Sequence, residues 1–202
     1  MISAERPASG EAAGAVVLVH GRGANEFDLL PLADRLDPEG RFHWYLPRGP
    51  LALPPGGAHW YMVPRVGHPD PASFAEGFAA LAGFVDALPH ERTVLGGFSQ
   101  GAVMSFAVGL GRGRPRPAGV LALSGFIPEV EGWELDSELP FPPIAIGHGS
   151  FDPVIPVALA HRDRARLESA GADVLYRESP MEHAIDPAFL DELGPWLTAA
   201  LA

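Results

Sequence analysis

A serine becomes a nucleophile when a base takes its proton, an acid orients the base, and nearby N–H groups hold the developing oxyanion. This chain of 202 residues carries those residue types in a workable order. The run Val94-Leu95-Gly96-Gly97-Phe98-Ser99-Gln100-Gly101-Ala102 joins an apolar segment to Gly-x-Ser-x-Gly and then to a helix-forming segment. That is the form of a sharp strand-to-helix elbow, which lifts a serine hydroxyl off the end of a sheet. Gly97 and Gly101 leave room where the turn is crowded. In a chain with 24 glycines a bare motif is easily met by chance, so the flanking strand and helix signals carry the assignment of Ser99 as nucleophile.

The partners expected for such an elbow follow as Asp or Glu and then His. Asp152 stands in His148-Gly149-Ser150-Phe151-Asp152-Pro153, just after an apolar run, and His183 in Glu178-Ser179-Pro180-Met181-Glu182-His183, just after the next. Taken singly, Asp152 reads as a turn residue just as well, and His183 as a loop histidine without a role. Order and strand-end position together select Ser99, Asp152 and His183 as a catalytic triad. One oxyanion donor is the backbone N–H of Gln100. The other comes from His20-Gly21-Arg22-Gly23-Ala24, after an early strand, where the N–H of Arg22 is the choice. The Arg22 side chain has an alternative reading, as a contact for an acidic substrate group.

Other candidates carry less. His20 and His148 read as loop braces, and Asp186 as a helix cap. His43, His59, His68, His90 and His161 lack partners at metal-ligand spacing, so no metal site is expected. Gly21-x-Gly23 lacks the third glycine of a dinucleotide fingerprint, and no cofactor is expected.

The elements that would position these residues alternate along the chain. Strands are expected at Ala15–Val19, His43–Leu46, Thr93–Phe98, Ala118–Leu123, Ile144–Gly147 and Asp173–Arg177. Helices are expected at Phe27–Leu36 with Asn25 as N-cap, at about 73–88, at Gln100–Leu110, at Pro156–Ala170, and at Pro187–Leu201 with a kink at Pro195. Such alternation implies an α/β fold with a mostly parallel sheet, whose ligands bind beyond the carboxyl ends of the strands. Residues 1–202 read as a single domain. Two long loops stand out. Arg48–Pro71 is rich in Gly and Pro, and Glu129–Pro143 reads as a solvated excursion or as part of a lid. The stretch Gly111–Pro117 holds three arginines but sits between a helix and a strand, and reads as a connector.

Composition narrows the function classes. Net charge is −11, which opposes nucleic-acid binding. Fourteen arginines make up the whole Lys+Arg count, so no lysine is available as a base or Schiff-base former. There is no cysteine, hence no disulfide or thiolate chemistry. Residues 1–14 lack the basic and apolar regions of a signal peptide, and no apolar run is long enough to span a membrane, so a cytoplasmic protein without membrane insertion is expected.

The chain resembles the phospholipase/carboxylesterase family of α/β-hydrolases, which includes acyl-protein thioesterases. The resemblance rests on Leu18-Val19-His20-Gly21-x-Gly23, Pro47-Arg48-Gly49-Pro50, Trp60-Tyr61, Gly97-Phe98-Ser99-Gln100-Gly101, Leu123-Ser124-Gly125, His148-Gly149-x-x-Asp152-Pro153-x-x-Pro156 and Met181-x-His183, in family order over nearly the whole chain. It implies a compact α/β-hydrolase fold with little or no cap, and the same triad and backbone donors. It also implies substrate contacts near Gly23, Trp60 and Tyr61. Two departures are Ala102, where a glycine is common, and Arg22, where a leucine is typical. The expected activity is cleavage of small carboxylic esters, with a small-molecule ester as partner. Thioesterase or lysophospholipase-type hydrolysis, and more remotely a non-catalytic receptor on the same scaffold, are the alternatives. A homodimer is left open.

Overall fold

The computed structural model describes residues 1–138 and 140–202. Its strands are β1 (Ser3–Arg6), β2 (Gly14–Val19), β3 (Phe42–Pro47), β4 (Leu51–Leu53), β5 (Gly57–His59), β6 (Thr93–Phe98), β7 (Gly119–Leu123), β8 (Ile144–Gly149) and β9 (Val174–Ser179). Its α-helices are α1 (Leu30–Leu36), α2 (Pro71–Val85), α3 (Gln100–Leu110), α4 (Val157–Ser169) and α5 (Pro187–Ala200).

Seven strands form one sheet in the order β1-β3-β2-β6-β7-β8-β9, and every pairing is parallel except β1 with β3. β2 is buried at every residue because both sheet faces are covered. Successive side chains go to opposite faces. Val16 and Leu18 join the core that includes Leu36 of α1 and Phe189, Leu193 and Leu197 of α5. Val17 and Val19 join the core that includes Phe74 and Leu81 of α2 and Val103 and Ala107 of α3. From β2 the chain steps to β3 on one side, then returns to β6 on the other. The carboxyl ends of β2 and β6 therefore flank the topological switch point, where an open α/β sheet has its natural crevice.

The expected helices and parallel strands are present with small boundary shifts, and α5 runs through Pro195. Three features differ. The sequence reading leaves residues 1–14 without a strand, whereas β1 forms there by pairing with β3. The first helix begins at Leu30, not Phe27. Asn25 Oδ1 accepts from Phe27 N at 2.8 Å in a preceding turn, which leaves Phe27 61% exposed. The segment 48–71 contains the β4–β5 hairpin. Its remaining excursion is tied at the base, with Met62 N donating to Ser73 Oγ and Asp70 N to Met62 O, both at 3.0 Å.

The Glu129–Pro143 segment contains Leu139, which lies outside the described residues. Trp133 Nε1 donates to Ala107 O at 3.0 Å, and Asp136 N to Leu110 O at 2.9 Å. These bonds hold the segment against the carboxyl end of α3, the end remote from Ser99. The adjoining connector has no free basic face, because Arg112, Arg114 and Arg116 pair with Glu134, Asp86 and Asp136.

A buried carboxylate fastens the β1 edge. Asp37, just after α1, accepts from the N–H groups of Arg41 (2.9 Å) and Phe42 (3.0 Å), from Trp44 Nε1 (3.2 Å) and from Arg6 Nη1 (3.1 Å). Burial alone would raise its pKa. These donors outweigh that effect and hold it below the ordinary aspartate range.

Candidate active site

Ser99 sits between β6 and α3 with φ 56° and ψ −120°, a conformation that strains any residue with a Cβ. The surroundings impose it. Ser99 N donates to Leu123 O at 2.8 Å, and Ser99 O accepts from Ala102 N and Val103 N at 3.0 and 3.2 Å. A Cβ on Gly101 would strike the Val19 carbonyl, and one on Gly97 would strike Gly101. The elbow thus packs directly on the end of β2, and glycine at both positions is a steric requirement.

His183 lies in the loop after β9 and Asp152 in the loop after β8. His183 Nε2 is 2.9 Å from Ser99 Oγ, and His183 Nδ1 is 2.6 Å from Asp152 Oδ2. Asp152 Oδ1 also accepts from Val154 N and Ile155 N, each at 2.8 Å. Burial pushes the Asp152 pKa up. The His183 hydrogen bond and the two amides pull it down further, so the carboxyl stays below its ordinary range. The His183 ring packs on Phe98 at 4.9 Å between centroids, and Ser124 Oγ donates to Ala184 O at 3.2 Å. This chain of contacts can move a proton from Ser99 to His183 while Asp152 supports the charge.

The loop after β2 has its own accounting of amides. Gly23 N donates to Ala58 O at 2.8 Å and Ala24 N to Gly21 O at 3.3 Å. Among the described residues, the N–H groups of Arg22 and Gln100 have no acceptor. Gln100 opens α3, where the helix leaves its first N–H groups unpaired and its positive end exposed. Two unspent donors beside a serine are suited to an oxyanion.

Ser99, Gln100 and Arg22 border a cleft of about 360 Å³. Tyr61, Val63, Phe126, Val154 and Ile155 supply apolar wall, and Arg65 and His68 add polar groups. Two residues expected to contact substrate, Trp60 and Gly23, do not line this cleft. Trp60 is fully buried with its Nε1 donating to His20 O at 3.0 Å, so it supports the loop from behind. Gly23 is a turn residue at φ 84°, and its N–H is spent on the hairpin.

His20 and His148 are braces. His20 Nε2 accepts from Gly49 N at 3.0 Å, which places its proton on Nδ1, 2.7 Å from Gly21 O. His148 Nε2 donates to Ile155 O at 2.8 Å behind Asp152. In both, burial is the largest influence and lowers the pKa, favouring the neutral ring. Asp186 caps α5 by accepting from Ala188 N at 2.8 Å. Sequence reasoning missed the Gln100 side chain, which accepts from Trp60 N at 2.8 Å and donates to Tyr61 O at 2.6 Å. It missed the Arg65–His68 turn as well. The Gln100 contacts have no local sequence signal, whereas Gly67 is one for the turn. Among the described residues, no group of three or more His, Asp or Glu is arranged to hold a metal ion.

A mostly parallel sheet of this order, with a strained serine elbow at its switch point and an Asp and a His at later strand ends, defines an α/β-hydrolase. The phospholipase/carboxylesterase family profile matches residues 4–200, and the chain belongs to that family. A segment is 33% identical over 119 residues to acyl-protein thioesterase 1 of Gibberella zeae, covering 55% of this chain and 49% of that protein. The chain thus spans about half the length of that curated relative. It is 29% identical to acyl-protein thioesterase 1 of Cryptococcus neoformans, covering 92% of each. Its fold resembles that of the Bacillus cereus carboxylesterase, with a TM-score of 0.84, 22% identity, and coverage of 98% of this chain and 93% of the other.

Proposed function

We propose that the protein is a serine hydrolase that cleaves carboxylic esters through an acyl-enzyme. The carrying observation is the continuous contact from Asp152 through His183 to Ser99 Oγ. Ser99 Oγ bonds to the acyl carbon while its proton passes to His183 Nε2, and the N–H groups of Arg22 and Gln100 hold the oxyanion. The carbon–oxygen bond to the leaving alcohol then breaks, and His183 returns the proton to that alcohol. Water repeats the sequence to release the acid and restore Ser99. A cleft of about 360 Å³ with apolar walls suits a small acyl group.

The names of the relatives favour a second reading, hydrolysis of thioesters by the same steps with a thiol as the leaving group. Matched oxygen esters and thioesters of one acyl group separate the two by their kcat/KM values. A fluorophosphonate probe tests the shared core. It is expected to add once, on Ser99, and to leave Ser99→Ala unlabelled. Labelling retained in that variant would overturn the assignment.

A further inference from the structure

The protein is acidic, with 25 Asp and Glu against 14 Arg, and its arginines are mostly committed to carboxylates. Arg6 pairs with Asp34 and Asp37, Arg48 with Glu26, Arg114 with Asp86, and Arg162 with Glu129 and Asp163. Arg22 and Arg65 depart from this. Among the described residues, neither guanidinium has a carboxylate or carbonyl partner, and both line the cleft that holds Ser99. His68 lines the same cleft, and no Asp or Glu does. The Arg65 position is built. His68 N donates to Arg65 O at 3.0 Å, closing a turn in which Gly67 has φ 82°. That value at the third position is the one a type II turn reserves for glycine. The excursion is tied to the start of α2 through Asp70 and Ser73.

Cationic groups lining a partly enclosed cleft of an acidic molecule concentrate anions there. Guanidinium groups favour carboxylates and phosphates, which match their planar donors. We infer that the cleft selects esters bearing a second, anionic group, with Arg22 and Arg65 receiving the anion and Tyr61, Phe126 and Ile155 receiving the apolar portion. This rests on the hydrolase reading above and names its substrate class.

The test uses 4-nitrophenyl hydrogen adipate, its methyl-capped diester, and 4-nitrophenyl 5-phosphonopentanoate, each corrected for spontaneous hydrolysis. The wild-type protein is expected to show kcat/KM at least about tenfold higher for a free anion than for the capped diester. The gain is expected to shrink in 0.5 M NaCl as screening sets in. The adipate and phosphonate arms decide whether the anion is a carboxylate or a phosphoryl group. Arg65→Gln is expected to cut the anionic-to-capped ratio, Arg65→Lys to restore part of it, and the double change Arg22→Gln/Arg65→Gln to abolish it. Equal rates for capped and free esters in the wild type, or an unchanged ratio in the double variant, would overturn the inference. Turnover of the capped diester with fluorophosphonate labelling of Ser99 leaves the hydrolase reading standing in that event. Without either, both fall together.

Discussion

Gln100 joins the nucleophile elbow to the wall of the cleft: its side-chain amide donates to Tyr61 O at 2.6 Å and accepts from Trp60 N at 2.8 Å. Its own backbone N–H remains free beside Ser99. One residue therefore sets both the proposed oxyanion donor and the position of the Tyr61 wall. Gln100→Ala keeps the backbone donor but strands two buried backbone groups, at a cost of about 1–3 kcal/mol. The expected result is a lower Tm by thermal melt and a kcat/KM loss that differs across acyl chain lengths. Gln100→Glu is expected to be worse for activity, since a carboxylate oxygen would face the Tyr61 carbonyl. An Ala variant with wild-type Tm and chain-length profile would show that the clamp is dispensable.

Asp152 is held ionised below the ordinary carboxylate range by His183, Val154 N and Ile155 N. Asp152→Asn cannot support the His183 charge, and kcat is expected to fall by roughly three to four orders of magnitude. Because the native pKa is depressed, lowering the pH to about 5 leaves Asp152 ionised, above even the ordinary carboxylate value of about 4. Stopped assays of wild type and variant across pH 5–8 check both points. Near wild-type kcat in the Asn variant would place the supporting acid elsewhere.

Arg22 offers a backbone N–H that proline alone removes. Arg22→Ala keeps it, and the loss on p-nitrophenyl acetate is expected to stay within about tenfold, whereas losing an oxyanion donor costs about a hundredfold or more. Arg22→Pro is expected to show that larger loss, with circular dichroism as the control for a folded loop. Collapse of acetate turnover in folded Arg22→Ala would refute the backbone assignment.

Asp37 accepts four donors with its side chain fully buried. Asp37→Ala removes their acceptor and is expected to cost about 3–5 kcal/mol, read as a lower urea midpoint. Its pKa is lowered on folding. Its stabilisation is therefore complete above the unfolded value of about 4 and lost as pH falls through the lower folded value. Between pH 7 and pH 3, wild type is expected to lose more stability than Asp37→Asn. Parallel losses would show that Asp37 does not drive the acid response.

Ser99, Asp152 and His183 were legible in the sequence because each sits in a loop directly after a strong apolar run, and chain order along a parallel sheet puts those loops on one edge. The elbow glycines were legible for a local reason as well, since the turn itself demands them. Tertiary structure decided what depends on distant partners. β1 has only four residues and exists by pairing with β3, and α1 begins at Leu30 rather than Phe27, whose side chain turns to solvent. Trp60 and Tyr61 are adjacent in sequence, yet one ring is sealed behind the loop after β2 and the other faces the cleft. Arg22 and Arg65 are 43 positions apart, and only the folded chain brings both to one cleft whose lining holds no carboxylate. Local sterics and strand order are written along the chain, whereas side-chain direction and charge neighbourhood arise from which surfaces fold against each other.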